Sequence, residues 1–192
     1  MNSPSPEAQS DHIVWMDLEM TGLIPEDDYI LEIATLITDS ELTVIATGPE
    51  LVVHQPKSIL TQMDEWNQEH HQKSGLYQKA LDSTISVTEA ETATLGFIQK
   101  YTLPGKNSIA GNSIWQDRRF LAKHMPHIDK HLHYRIIDIS GIKELAKRWY
   151  PNLKLPTKKN SHRAMDDIKE SIEELKFFRQ HIFIPKYQKT TP

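Results

Sequence analysis

The chain has no cysteine in its 192 residues, which excludes disulfides and thiolate metal sites and fits a reducing compartment, the cytoplasm. It has no apolar run near the roughly 20 residues that a membrane helix needs. Nor has it an excess of basic residues: 22 Lys and Arg stand against 26 Asp and Glu, a net charge of −4. Binders of long nucleic acid are usually basic, so a nucleic-acid partner is expected to be short or gripped locally. Residues 1–10, rich in Ser, Pro and Glu, lack the basic start and apolar centre of a signal peptide and are expected to be a disordered tail. Residues 11–184 are expected to form a single domain, and residues 185–192, opening on Pro185, a loose C-terminal tail.

What the sequence does hold begins at Ile13. The first half of residues 13–22 is mostly apolar, with a β-branched pair and Trp15, and has the character of a strand. Side chains alternate along a strand, so Ile13, Trp15, Asp17 and Glu19 share one face, and Val14, Met16 and Leu18 the other. The two acids then stand about 7 Å apart at roughly 3.4 Å per residue, at the end of an apolar run. Charge is costly to bury unless something pairs with it, and a hard divalent cation is a simple partner for carboxylate oxygens. Taken alone, the pair is more simply a strand that ends at Asp17 with Glu19 in water.

Residues 29–38 and 42–54 suggest two more strands joined by Asp39-Ser40-Glu41, which makes an antiparallel three-strand meander. Residues 60–71 are polar and expected to be helical, with Met63 and Trp66 on one face. Trp66 is a packing residue or a platform for a base, and His70 and His71 suit a solvated helix end. Ser86-Val87-Thr88-Glu89 fits a capping box at the start of a helix to Tyr101. Residues 107–110 suit a short buried strand, and Gly111-Asn112-Ser113 a turn into a helix capped by Asn112 or Ser113. In that helix Asp117 shares a face with Phe120 and Leu121. It is either a buried acid holding backbone or part of a site.

Residues 124–133, histidine-rich and containing Met125-Pro126, suggest a loop without a compact zinc spacing. Residues 134–139 suggest a strand, and Ser140-Gly141 opens a helix that Pro151 stops. Lys143, Lys147, Arg148, Lys154, Lys158, Lys159 and Arg163 form a solvated face or a rim that guides phosphates. Ile168, Ile172, Leu175, Phe178 and Ile182 keep the period of a last helix, with Ser161 a candidate cap. His162 and Asp167 would diverge by about 140° if both were helical at roughly 100° per residue. His162 therefore belongs in the loop or first turn, over a site to which Asp167 also points.

Asp17, Glu19, Asp117 and Asp167 could surround one pocket at a sheet edge. Four such carboxylates repel one another. Two divalent cations would neutralise them in the arrangement used for in-line phosphoryl displacement. His162, with a near-neutral reference pKa, could take the proton of an attacking water.

Asp17-x-Glu19, then Asp117, then His162 with Asp167 five on, resemble in this order the DEDDh group of 3′-to-5′ exonucleases. Three longer strings carry the resemblance: Trp15-Met16-Asp17-Leu18-Glu19-Met20-Thr21-Gly22-Leu23, residues 111–121, and Ser161-His162-Arg163-Ala164-Met165-Asp166-Asp167-Ile168. They point to the branch that acts on very short RNA, over nearly the whole chain. The resemblance implies a ribonuclease-H-like α/β fold, in which a mixed β-sheet, the meander plus further parallel strands, is flanked by helices. It implies two Mg²⁺ or Mn²⁺ ions per site, no small-molecule organic cofactor, no membrane, and a homodimer. The implied activity is hydrolysis of very short single-stranded RNA to nucleoside 5′-monophosphates, completing RNA degradation. Dinucleotides, including linear products of cyclic dinucleotides, would be the chief substrates.

By position the resemblance makes Asp17, Glu19, Asp117 and Asp167 metal ligands and His162 the general base. Leu23 would wedge against the bases, with Trp66 and His71 nearby. Ser113, Arg135 and Ser140 would hold the terminal 5′-phosphate, with Arg135 and a catalytic Tyr134 reaching in from the partner subunit. Gly141 departs from the pattern, because relatives often carry Thr there, and a hydroxyl is missing. Two alternatives stand beside this expectation. One is a proofreading or RNA-trimming exonuclease of the same group on longer strands; the other is a nuclease-like binding module without catalysis.

Overall fold

The computed structural model describes residues 7–156 and 163–183. Its frame is a five-stranded sheet in the order β3-β2-β1-β4-β5. β1 (Ile13–Met20), β2 (Ile30–Thr38) and β3 (Val44–Val52) are antiparallel neighbours, and β4 (Ile109–Gly111) and β5 (Ile136–Asp138) extend the sheet parallel to β1. The expected meander with added parallel strands is therefore present. Between β3 and β4 run α1 (Lys57–Leu60), α2 (Glu65–Lys73), α3 (Leu76–Asp82) and α4 (Val87–Tyr101). Between β4 and β5 run α5 (Ile114–His124) and α6 (Pro126–His131), and α7 (Ile139–Trp149) and α8 (Ala164–His181) follow. Among the described residues no helix is long and apolar enough to cross a membrane.

The alternation along β1 divides the interior. Val14, Met16 and Leu18 enter a core with Ile98 of α4, Phe120 of α5 and Ile128 of α6. Trp15 enters the opposite core with Met165 and Ile168 of α8, and its indole N–H donates to Thr38 Oγ1 at 2.9 Å. α8 buries Ile168, Ile172 and Phe178, the spacing that its sequence period requires. α4 opens on the capping box: Ser86 Oγ accepts the Glu89 N–H, and Glu89 accepts the Ser86 N–H.

Three local expectations change. The helix expected over residues 60–71 is two, α1 and α2, with α3 following it. Asp64 starts α2 afresh by accepting the Asn67 N–H at 2.7 Å, so Met63 falls in the gap and is buried while Trp66 is exposed. Residues 124–133 are not a loop but the end of α5 and all of α6. Pro126 begins α6 because a helix's first turn needs no N–H from it. At the start of α8 the N-cap position is Arg163; Ser161 lies outside the described residues.

Candidate active site

The site forms where β1 outruns β4. Ala110 pairs with Trp15, and β4 stops one residue later at Gly111. A Cβ at Gly111 would stand 2.9 Å from the Met16 carbonyl oxygen, so glycine permits this close ending. Beyond it the Leu18 N–H faces no strand, and buried backbone donors need a partner. Asp117, on the buried face of α5, meets it: Oδ1 accepts that N–H at 2.9 Å. On the other side, Asp17 and Glu19 meet Asp167 from the first turn of α8. One carboxylate oxygen from each of the three lies within 4.8 Å of the others.

The crowding has an electrostatic signature. Burial raises the Glu19 carboxyl from 4.5 to about 8; the charges of Asp167, Glu32 and Asp117 push the same way, and Arg163 opposes them. Burial likewise lifts Asp117 to about 7, against the hydrogen bond from Leu18. Such a cluster is stable at neutral pH when it holds protons or a multiply charged cation. The donors are all carboxylate oxygens, the set that hard divalent ions prefer. Asp17, Glu19 and Asp167 can hold an ion directly, with Asp117 beside them.

Leu23 is exposed in the turn between β1 and β2. Asp28 ties that turn from within, accepting Thr21 Oγ1–H at 3.0 Å and the Ile24 N–H at 2.9 Å. α5 holds it from outside, where Gln116 Nε2–H donates to the Leu23 carbonyl at 2.5 Å. Trp66 is exposed and stacks on His70 with ring centroids 3.7 Å apart. His71 is not at a solvated helix end. It is buried, and its Nε2–H donates to the Met20 carbonyl at 2.9 Å, docking α2 on the end of β1.

A second group of hydroxyls lies across α5 and α7. Ser113 has a left-handed backbone, φ 51°, and its side chain caps nothing. Its N–H donates to Asp138 Oδ1 and Ser140 Oγ, each at 3.0 Å, and the Ser113 and Ser140 hydroxyl oxygens are 3.1 Å apart. Asp138 also caps α7 through the Ser140 N–H at 2.9 Å. Beside them a Cβ on Gly141 would meet nothing within 4 Å. Tyr134 is 72% exposed, with the Arg135 guanidinium 5.1 Å from its ring centroid. Ile136 pairs with Ile109, and Ile109 with Val14. Tyr134 and Arg135 therefore sit at the opposite end of the parallel strands from Asp17 and Glu19. His162 lies outside the described residues, as do Lys158 and Lys159.

Of the described residues of the basic run, all but the exposed Lys154 are drawn into ion pairs. Lys143 pairs with Glu174, Lys147 and Arg148 with Glu144, and Arg163 with Glu32 and Glu50. Sequence reasoning missed Glu32, Asp28, Gln116 and Asp138. Of these only Glu32 carried a signal, a lone acid inside the apolar run Ile30-Leu31-Glu32-Ile33-Ala34.

A family model described as Exonuclease matches residues 14–175. Among solved structures, Exonuclease I of Methylocaldum szegediense aligns with a TM-score of 0.66 at 17% identity, covering 89% of this chain and 41% of the other. Exonuclease I of E. coli in complex with a 5cy-dT13 oligonucleotide aligns with a TM-score of 0.67 at 17% identity, covering 91% and 42%. The chain thus spans well under half of those proteins, and the likeness is one of fold. Sheet order, acidic cluster and family match together define the class, an exonuclease domain of ribonuclease-H-like fold. Nearer relatives narrow it. The "Oligoribonuclease, mitochondrial" proteins of Mus musculus and Homo sapiens are each 51% identical over 182 residues, which is 94% of this chain and 77% of theirs. The oligoribonuclease of Marinobacter nauticus is 51% identical over 177 residues, 92% of this chain and 98% of its own. The chain belongs to the oligoribonuclease family.

Proposed function

We propose that this protein is a 3′-to-5′ exoribonuclease that hydrolyses very short oligoribonucleotides, chiefly dinucleotides, to nucleoside 5′-monophosphates. The observation that carries the reading is the meeting of Asp17, Glu19 and Asp167 within 4.8 Å at the open end of β1, beside the buried Asp117. These four would hold two Mg²⁺ or Mn²⁺ ions. Bound divalent ions supply a more acidic water and charge stabilisation for the leaving oxygen. Water attacks the phosphorus and the P–O bond to the upstream 3′-oxygen breaks; that oxygen leaves and takes a proton from solvent to become the 3′-hydroxyl, while the phosphate stays on the 5′-oxygen of the released nucleotide. His162, next to Arg163 in the chain, takes the water's proton, and its near-neutral reference pKa suits that task.

Leu23 is held rigidly enough by Asp28 and Gln116 to act as a wedge, and Trp66 offers a stacking face for a base. Ser113 and Ser140, whose hydroxyls cluster beside the N-terminus of α7, hold the 5′-phosphate. Arg135 and Tyr134 complete that grip from a partner subunit, because in their own chain they lie at the far end of the strands. A homodimer is further supported by the apolar surface at the end of α7, where Leu145 and Trp149, one turn apart, and Tyr150 just past the helix are exposed. The cytosol suits a chain without cysteine.

The test is release of mononucleotides from a 5′-phosphorylated dinucleotide with Mg²⁺, and a rate series over increasing length. A rate that falls as the strand lengthens supports the reading. An intact dinucleotide overturns it, and a rate that rises with length moves the protein to the trimming class.

A further inference from the structure

Glu32 is a carboxylate with 0% exposure in β2, the middle strand of the meander. It lies directly across from Glu19, and cross-strand partners share a face. A buried charge in that position opposes the ionisation of Glu19 and is costly unless paired. Its partner is Arg163. Nη2 donates to Glu32 Oε1 at 2.7 Å and Nε to Oε2 at 3.3 Å, while Nη2 also reaches Glu50 Oε1 on β3 at 2.5 Å.

The same carboxylate serves the helix. The side chain at the N-cap of α8 caps nothing. Instead Glu32 Oε2 accepts the Ala164 N–H at 3.3 Å from across the sheet. The Arg163 carbonyl in turn accepts the Asp166 and Asp167 N–H groups at 2.9 and 3.0 Å. The backbone turn that aims Asp167 thus begins at a residue whose side chain is fastened to two strands.

We propose that Glu32, Arg163 and Glu50 form a strap that fixes the first turn of α8 against the sheet and so sets Asp167 relative to Asp17 and Glu19. They are positioning residues: they act on metal affinity and turnover through Asp167 and Glu19. The inference deepens the exonuclease reading and rests on it for its activity readout, though not for its metal readout.

The experiment compares Arg163→Met, Arg163→Lys, Glu32→Gln and the double variant Glu32→Gln/Arg163→Met. Mn²⁺ binding is followed by calorimetry without substrate, and kcat and KM on a 5′-phosphorylated dinucleotide. Arg163→Met should weaken Mn²⁺ binding and lower kcat by about 10-fold each, the usual loss when a group that orients metal ligands is removed, with KM within about twofold. Arg163→Lys, which keeps the charge and loses the fork, should fall between Arg163→Met and the unmodified protein. The double variant should be no worse than the poorer single one, because all three remove one linkage. A lower melting temperature with Mn²⁺ affinity and kcat unchanged would mark a merely structural ion pair and overturn the proposal, as would additive losses in the double variant. If Glu32→Gln fails to fold, the two Arg163 variants decide, since that side chain is partly exposed. If the unmodified protein leaves the dinucleotide intact, the exonuclease reading fails while the Mn²⁺ titration still decides the strap.

Discussion

At the scale of single residues, the site is defined by carboxylates held where they would not ionise freely. Glu19 binds its proton more tightly folded than unfolded, so between pH 4.5 and about 8 the metal-free native state carries a proton that the unfolded chain has released. Stability of that form should therefore fall as pH rises through this window. Thermal melts in EDTA at pH 5.5 and 8.5 check the sign, and saturating Mn²⁺ should flatten the slope by taking the proton's place. Asp167→Asn should cost at least about 100-fold in kcat, since the charge stabilisation at stake is several kcal/mol. Gly141 tests the proposed phosphate grip. The space around it is open, so Gly141→Thr should fold normally and lower KM for a 5′-phosphorylated dinucleotide, with little effect on one lacking that phosphate.

At the scale of elements, the turn that carries Leu23 depends on α5. Gln116→Ala removes the shorter of two hydrogen bonds to the Leu23 carbonyl, leaving that of Arg119 at 3.5 Å, and should raise KM several-fold with kcat nearly kept if Leu23 positions a base as proposed, because the acids are untouched. Steady-state kinetics on a dinucleotide separate these two effects. The strands and the late helix were legible in the sequence because apolar periodicity is a local signal: β1's alternation and α8's Ile168, Ile172 and Phe178 fall where the spacing put them. Asp17, Glu19 and Asp117 were legible as acids on apolar faces, and Asp167 as a candidate through the family resemblance. What stayed hidden depends on partners distant in the chain. His71 looked solvated until α2 was seen docked on Met20, 51 residues away. Arg163 looked like one more surface cation, although its partners Glu32 and Glu50 lie 131 and 113 residues away. Residues 124–133 read as a loop because a proline that starts a helix, as Pro126 does, looks in sequence like one that ends it.

At the scale of the whole molecule, Tyr134 and Arg135 stand at the wrong end of their own strands to serve their own acids. If they work in a partner's site, mixing the Arg135→Ala and Asp17→Asn variants should restore activity that neither has alone, because one site of each mixed dimer is then complete. Light scattering should show a dimer, and Trp149→Glu on the exposed face of α7 should give monomers with little activity. The brevity of β4 has its own consequence. Asp117 occupies a hydrogen-bonding position that one more strand residue would claim, so a single-residue insertion after Gly111 should zip the sheet shut and evict the acid. Such a variant would be better knitted and inert: in this fold, catalysis depends on a seam left unsewn.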